Sequence, residues 1–268
     1  WPFSYIKEKY ENTELIFLWG KNNDNPECDS TTVWSRKTPC EISFFKELFH
    51  NVKLRTKDSL PSSIDILVYS SNDEYGYSAK EIQEIVNKHK PKVLIHTSDE
   101  WGTRPEHNQI KNVPLILRQY WFNKYPNPSH VKQIIVGYHC WDKEILPILP
   151  ITDRKYDWSY IGTPKEERKK YCNILNKAFP NCKFGKTKKE ENPEIYQQSI
   201  FVFCPKGNVS FNCNRSITAC RNGCIPILII SEEDFAEQFG NINPIPPWIY
   251  EPTIEKLVER VKKLLKNP

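Results

Sequence analysis

Methionine is absent from this chain of 268 residues, and glycine is scarce, at nine. None of those glycines falls in a G-x-G-x-x-G or Walker pattern, which counts against dehydrogenases and kinases. A G-x-S-x-G elbow is also missing, which removes the serine-hydrolase reading. The cysteines form no C-x-x-C pair, so a zinc site is not expected. No Asp-x-Asp precedes an apolar strand, as a divalent-metal clamp would need, and Asp65 and Asp153 do not build one. No run of about 18 apolar residues exists to span a bilayer, and no signal peptide is visible.

What is present describes a globular chain. Hydrophobic residues make up 38% and charged residues 26%, which suits a packed core and not disorder. The length accommodates two domains of ordinary size. Net charge is +5 and spread out, densest at Lys165–Lys170 and Lys183–Lys189. A nucleic-acid binder would carry a clustered basic stripe, so no nucleic-acid partner is expected; the excess suits mild attraction for a phosphorylated small substrate. Nine cysteines, an odd count at irregular spacing, include Cys204 and Cys224 within apolar strand-like runs. They read as small core hydrophobes in a reducing, cytoplasmic setting; a bridge between Cys28 and Cys40 is the competing reading. With no methionine and a start at Trp1, an N-terminal anchor ahead of this sequence stays open as an expectation.

Short apolar runs alternate with helical patterns. Strands are expected at Glu14–Trp19, Val52–Arg55, Ile64–Ser70, Lys92–Thr97, Pro114–Tyr120 and Gln133–Tyr138, with helices at Cys40–Phe49 and Ser78–His89. Ser78 followed by Glu81 is a capping box. A second series begins after a proline-containing link at 140–154. It comprises a strand at Tyr156–Gly162 and a helix at Pro164–Phe179 capped by Thr163. Further strands fall at Cys182–Phe184, Ser199–Cys204 and Cys224–Ile229. Helices fall at Pro193–Gln198, Asn214–Asn222, Glu232–Phe239 and Thr253–Lys266. The last carries a stripe of Ile254, Leu257, Val258, Val261, Leu264 and Leu265. Strand–helix–strand alternation means parallel sheets. The expected fold is α/β, two Rossmann-like lobes facing a central cleft, with residues 1–140 as the acceptor lobe and 141–268 as the nucleotide lobe.

In such sheets ligands sit beyond the carboxyl ends of strands. The most informative stretch is therefore FVFCPKGNVSFNCNRSITACRNGCIPILII at 201–230. A strand ends at Cys204, a loop with Lys206, Gly207, Asn208 and Ser210 follows, and a helix opens near Asn214. A helix start behind a glycine-containing loop offers free N–H groups to an anion. Arg215 in the first turn opposes the helix dipole, and a diphosphate would offset that through paired guanidinium–phosphate bonds. Gly162, Thr163, Lys165 and Arg168 follow another strand of the same half: Gly162 permits close approach of a diphosphate, and Arg168 is placed to reach it. Asn208-Val-Ser210 and Asn214-Arg-Ser216 match the short glycosylation sequon.

This stretch resembles the exostosin-like glycosyltransferases. Pro205, Lys206, Gly207, Arg215, Ala219, Gly223, Cys224, Ile225 and Pro226 match their loop, helix and Gly-Cys-Ile-Pro element. KVLIHTSDEWG…LILRQYWF at 92–122 and RKYDWSYIGTPKEER at 154–168 resemble other parts of the family pattern, and the likeness covers roughly residues 90–265. It implies a GT-B architecture, a nucleotide-sugar donor of the UDP type, inversion at the anomeric carbon and no required metal or other cofactor. Family members carry Glu three residues after the Arg, to hold the ribose; this chain has Thr218 there, so that contact falls to a hydroxyl. Ser216 joins the donor set.

Inverting transfer needs a general base and compensation of charge on the leaving diphosphate. Asp73 and Glu74, and Asp99 and Glu100, follow N-terminal strands and are the candidate bases. Arg118, Tyr120 and His139 are candidates for shaping an acceptor site, while His96 on its strand reads as a core histidine. The expected reaction transfers a sugar, xylose or galactose by preference, from a UDP-sugar to an oligosaccharide or glycoprotein. Such a compact, lysine- and asparagine-rich chain suits a viral or microbial source, acting in the host cytoplasm if viral. The alternatives are a catalytically silent nucleotide-sugar- or glycan-binding protein, and a phosphorylase or epimerase on the same architecture.

Overall fold

The structure, a computed structural model, describes residues 12–18, 42–70, 77–97, 109–122, 127–138, 145–207, 209–240, 242 and 244–266. The chain divides into two compact units. The first comprises Trp1–Cys140 together with two segments from later in the chain, Asn208–Asn212 and Glu237–Ile245. The second comprises Trp141–Gly207, Cys213–Ala236 and Pro246–Pro268.

The first unit is a six-stranded parallel sheet in the order β2-β1-β3-β4-β5-β6. Its strands are β1 (Leu15–Leu18), β2 (Val52–Arg55), β3 (Ile66–Ser70), β4 (Val93–Thr97), β5 (Leu115–Arg118) and β6 (Val131–Gln133). The Leu, Ile and Val runs of β1, β3 and β4 are buried along both faces, which is why they read as continuous and not alternating hydrophobics. Among the described residues two α-helices accompany them, α1 (Ile42–Leu48) and α2 (Ala79–His89). Ser78 caps α2 reciprocally with Glu81, through Ser78 N–H to Glu81 Oε2 at 2.9 Å and Glu81 N–H to Ser78 Oγ at 3.3 Å. That fixes the entry of a helix whose buried face is Ile82, Ile85 and Val86. Gly137 is dictated by packing, because a Cβ there would lie 2.2 Å from the Phe44 ring.

The second unit is a five-stranded parallel sheet in the order β11-β10-β9-β7-β8. Its strands are β7 (Tyr156–Ile161), β8 (Cys182–Gly185), β9 (Ser199–Phe203), β10 (Ile225–Ile229) and β11 (Ile249–Glu251). The helices are α3 (Glu166–Ala178), α4 (Asn192–Gln197), α5 (Asn214–Arg221), α6 (Glu232–Phe239) and α7 (Ile254–Lys266). Trp158, fully buried at the centre of β7, donates Nε1–H to Phe179 O at 3.0 Å, so its one polar atom is satisfied inside the core. Pro226 sits within β10 because β11 pairs only from Ile227 onward, so the missing N–H falls where no strand asks for it.

Several elements differ from the sequence reading. The strand expected at Gln133–Tyr138 is Val131–Gln133, and the following residues stay buried while Val136 N–H and Ile134 O bond to the Asn212 side chain instead of to a strand. The helix expected from Pro164 begins at Glu166 with Lys165 as N-cap, because Thr163 O accepts from Tyr160 Oη and is held as a loop residue. Strand β11 was not expected; its three residues are only half-buried and carry weak periodicity. On α7, Leu264 is exposed at 37%, while Ile254, Leu257 and Val261 enter the core.

Candidate functional site

Numbered from its own first strand, the second sheet has the doubly wound order 2-1-3-4-5, reversing between β7 and β9. Ligands in such sheets lie outside the carboxyl ends of the strands at that reversal. The two loops leaving it, after Ile161 and after Phe203, hold Gly162, Thr163 and Lys165 on one side and Lys206 and Gly207 on the other.

Arg215 joins them from the first turn of α5. Its Nε–H donates to Ile161 O at 3.2 Å, and its guanidinium carbon sits 4.9 Å from the centre of the Tyr160 ring. A Cβ at position 162 would lie 3.4 Å from Arg215 Nη2 and 3.2 Å from Tyr160 Oη, so glycine keeps open the space beside the cation. Gly162 has φ +145, which a side chain would strain in any case. Burial by itself would lower the Arg215 pKa. The neighbouring Cys213 and Cys204, then Tyr196 and Tyr160, outweigh it and raise the value above its usual range. Among the described residues no carboxylate pairs with Arg215. A half-buried guanidinium that no carboxylate among the described residues pairs with is arranged to receive an anion.

Arg168, on α3, donates Nη2–H to Gly207 O at 2.6 Å and pins the loop after β9. Lys206 is exposed, and Lys165 is exposed at the N-cap of α3. Glu166, next in line, has φ +44, so the Gly162–Glu166 turn carries left-handed backbone at both ends. Helix α5 opens at Cys213 with no side-chain cap and no acid in its first turn; Ser216 N–H bonds back to Cys213 O at 3.3 Å, and the amides before it are the ones a ligand would meet. Ser216 and Thr218 are buried, at 0% and 1% exposure, so their hydroxyls face the interior of the unit. Asn214 is the first residue of α5 and Ser216 is buried, so that sequon lies in folded helix.

Tyr160 is the residue the sequence reading missed. Its position near the end of β7, two residues before Gly162, was the available signal, but only the fold shows Arg215 lying on the ring. Burial pushes Cys172 and Cys224 up to about 12 and Cys204 well above its usual value, so all three stay protonated near neutrality.

The first unit carries a buried polar row. In-register pairing sets Tyr69 beside His96, His96 beside Arg118 and Arg118 beside Gln133. The Tyr69 and His96 rings stack at 4.7 Å, and Arg118 lies 5.6 Å from the Phe122 ring centre at 1% exposure. Tyr120, two residues beyond β5, is half-buried. The candidate bases Asp73, Glu74, Asp99 and Glu100, with His139 and Asn208, lie outside the described residues; by position the first two follow β3 and the next two follow β4. Among the described residues no group of three His, Cys, Asp or Glu side chains converges as a metal site would, and no helix is long and apolar enough to cross a membrane.

No family model matches the sequence, and no curated protein matches it. Among solved structures, the chain is similar to an α1,3-fucosyltransferase with GDP, at 12% identity and a TM-score of 0.46 over 96% of this chain and 79% of that one. It is also similar to an α-glucosyltransferase in complex with UDP and a 13-mer DNA containing an HMU base, at 12% identity and a TM-score of 0.47 over 96% and 91%. A second α1,3-fucosyltransferase structure gives 13% identity and a TM-score of 0.48 over 98% and 84%.

Proposed function

We propose that the chain is a GT-B glycosyltransferase that takes a sugar from a nucleotide diphosphate held at the β7/β9 reversal. The observation that carries this reading is Arg215: a half-buried cation without an acid partner among the described residues, beside Gly162, at the first turn of a helix with no side-chain cap. A diphosphate fits there because guanidinium, lysine ammonium and free amides together neutralise its charge. In the inverting reaction the acceptor hydroxyl oxygen attacks the anomeric carbon from the face opposite the leaving group. The bond to the β-phosphate oxygen breaks, and its electron pair stays on the diphosphate. Arg215, Lys206 and the α5 amides stabilise that developing charge, so the proposed reaction runs without a metal. The acceptor proton passes to a carboxylate, for which Asp73, Glu74, Asp99 and Glu100 are the candidates. The donor is proposed as a UDP-sugar carrying xylose or galactose, and the acceptor as an oligosaccharide or glycoprotein.

One feature favours a second reading. Thr218, where the resembled family has an acid, is buried and presents no carboxylate to a ribose. A nucleotide-sugar-binding protein without turnover would tolerate that. A thermal-shift panel of UDP- and GDP-sugars, with and without EDTA, tests both. Stabilisation by a UDP-sugar that survives the chelator, with turnover on an added acceptor, is the expected result. Stabilisation without turnover or donor hydrolysis selects the binding protein, and indifference to every nucleotide rejects both.

A further inference from the structure

Tyr160 and Arg215 meet wholly inside the second unit. Tyr160 is the last residue but one of β7 and is fully buried. The Phe203 ring of β9 packs against it, 6.1 Å between centres and tilted by 51°. The Arg215 guanidinium carbon lies over the same ring at 4.9 Å, close enough for attraction between the cation and the negative face of the ring. The hydroxyl is tied as well: Oη donates to Thr163 O at 3.2 Å. A position that asked only for a core aromatic would accept phenylalanine, as position 203 does. The Tyr160 hydroxyl serves the loop beyond the strand.

Three contacts direct Arg215. Nε–H donates to Ile161 O at 3.2 Å, Nη1–H donates weakly to Cys213 Sγ at 3.9 Å, and the guanidinium carbon lies over Tyr160. Nη2 is left without a partner among the described residues, on the side where a Cβ at position 162 would stand 3.4 Å away. The same Cβ would stand 3.2 Å from Tyr160 Oη. The hydroxyl end of the ring, the spare guanidinium nitrogen and the glycine therefore border one space. Gly162 N–H bonds to Gly185 O at 3.1 Å, which fixes the backbone on that border. An arginine side chain is long and rich in rotamers, so whatever fixes its direction in advance spares that ordering when a ligand binds.

We infer that Tyr160 is a positioning residue for the nucleotide diphosphate: its ring holds the Arg215 guanidinium, and its hydroxyl, fastened to Thr163 O, holds the ring, so that Nη2 faces the space beside Gly162 before a ligand arrives. This rests on the donor reading above. Tyr160 itself touches no phosphate. It acts through Arg215, so its contribution to binding disappears when Arg215 is removed.

The test uses the full chain with UDP and GDP as probes, the tighter of the two carrying the comparison. Kd is read by NMR titration, which reaches millimolar affinities. Tyr160→Leu is expected to raise Kd about tenfold, the loss of a cation–ring contact. Tyr160→Phe, which keeps the ring, is expected to raise it about threefold, the loss of one hydrogen bond. In an Arg215→Ala background neither change should raise Kd further, since residues of one network are not additive. A second readout needs no ligand. The Arg215 Nε–H resonance, bonded to Ile161 O, should exchange faster with water in Tyr160→Leu and stay slow in Tyr160→Phe. A merely structural role would raise Kd by the same factor with Arg215 present or absent. That result, or a Tyr160→Leu protein matching the wild-type Kd, overturns the inference and leaves the donor reading standing. Should Tyr160→Leu fail to fold, Tyr160→Phe decides: a rise that Arg215→Ala abolishes supports the inference, and a rise that persists, or no rise, overturns it. A wild type indifferent to both UDP and GDP overturns the donor reading and this inference with it.

Discussion

The two units repeat one topology and put it to different use. Both sheets are parallel, and the first five strands of each follow the order 2-1-3-4-5, with β6 extending the first. In the first unit the polar side chains Tyr69, His96, Arg118 and Gln133 are absorbed into the sheet near its carboxyl edge, each at 4% exposure or less. In the second unit that edge opens at Gly162 onto a cation resting on Tyr160. A shared fold thus does not determine where charge becomes available.

The comparison breaks most visibly at Trp158. Its replacement by Ala empties the centre of the second core and should cost about 3–5 kcal/mol, read as a lowered urea midpoint. If the first unit loses as much stability, the units are not separate cores. Next in size, Arg215→Ala should weaken UDP binding by about 1.5–3 kcal/mol, the range for a lost charge-assisted hydrogen bond, or roughly ten- to a hundredfold in Kd. Arg118→Lys should leave the UDP Kd unchanged, because Arg118 belongs to the other unit. An equal loss in both variants would remove the distinction drawn here.

A smaller effect separates the units by pH. All described cysteines, Cys172, Cys182, Cys204, Cys213, Cys220 and Cys224, lie in the second unit. For Cys172 and Cys224 burial raises the folded value to about 12 from an ordinary 9.0. A raised value means the stability is fully present below pH 9.0 and is lost as pH climbs toward about 12. Under reducing conditions, chemical unfolding at rising pH should weaken the second unit first, and Cys172→Ala should lessen the slope. The smallest effect belongs to Asp157 on β7, whose carboxyl is raised from 3.8 by burial. Ionisation there slightly disfavours the fold, so Asp157→Asn should raise Tm a little at pH 7 and have no effect below about pH 3.

Much of this was legible in the residues. Continuous Val, Ile and Leu runs between capped helical patterns announced strands covered on both faces, and the strand–loop–helix order around Gly162 and Arg215 located a candidate anion site. The remainder was not legible, for physical reasons. Strand β11 owes its existence to pairing with β10, and three half-buried residues carry too little pattern to show it. Tyr160 looked like any strand aromatic until Arg215 folded onto it.

By itself the sequence determined which segments become strands and helices, because periodicity, caps and prolines act over a few residues. It also determined that Arg215 would open a helix behind a glycine-containing loop. Only the tertiary structure decided that Asn208–Asn212 and Glu237–Ile245 join the first unit, and that the Asn212 amide stands in for a missing strand neighbour at Ile134 and Val136. Hydrogen bonds between residues more than seventy positions apart follow from how the chain packs, and local pattern carries no trace of them.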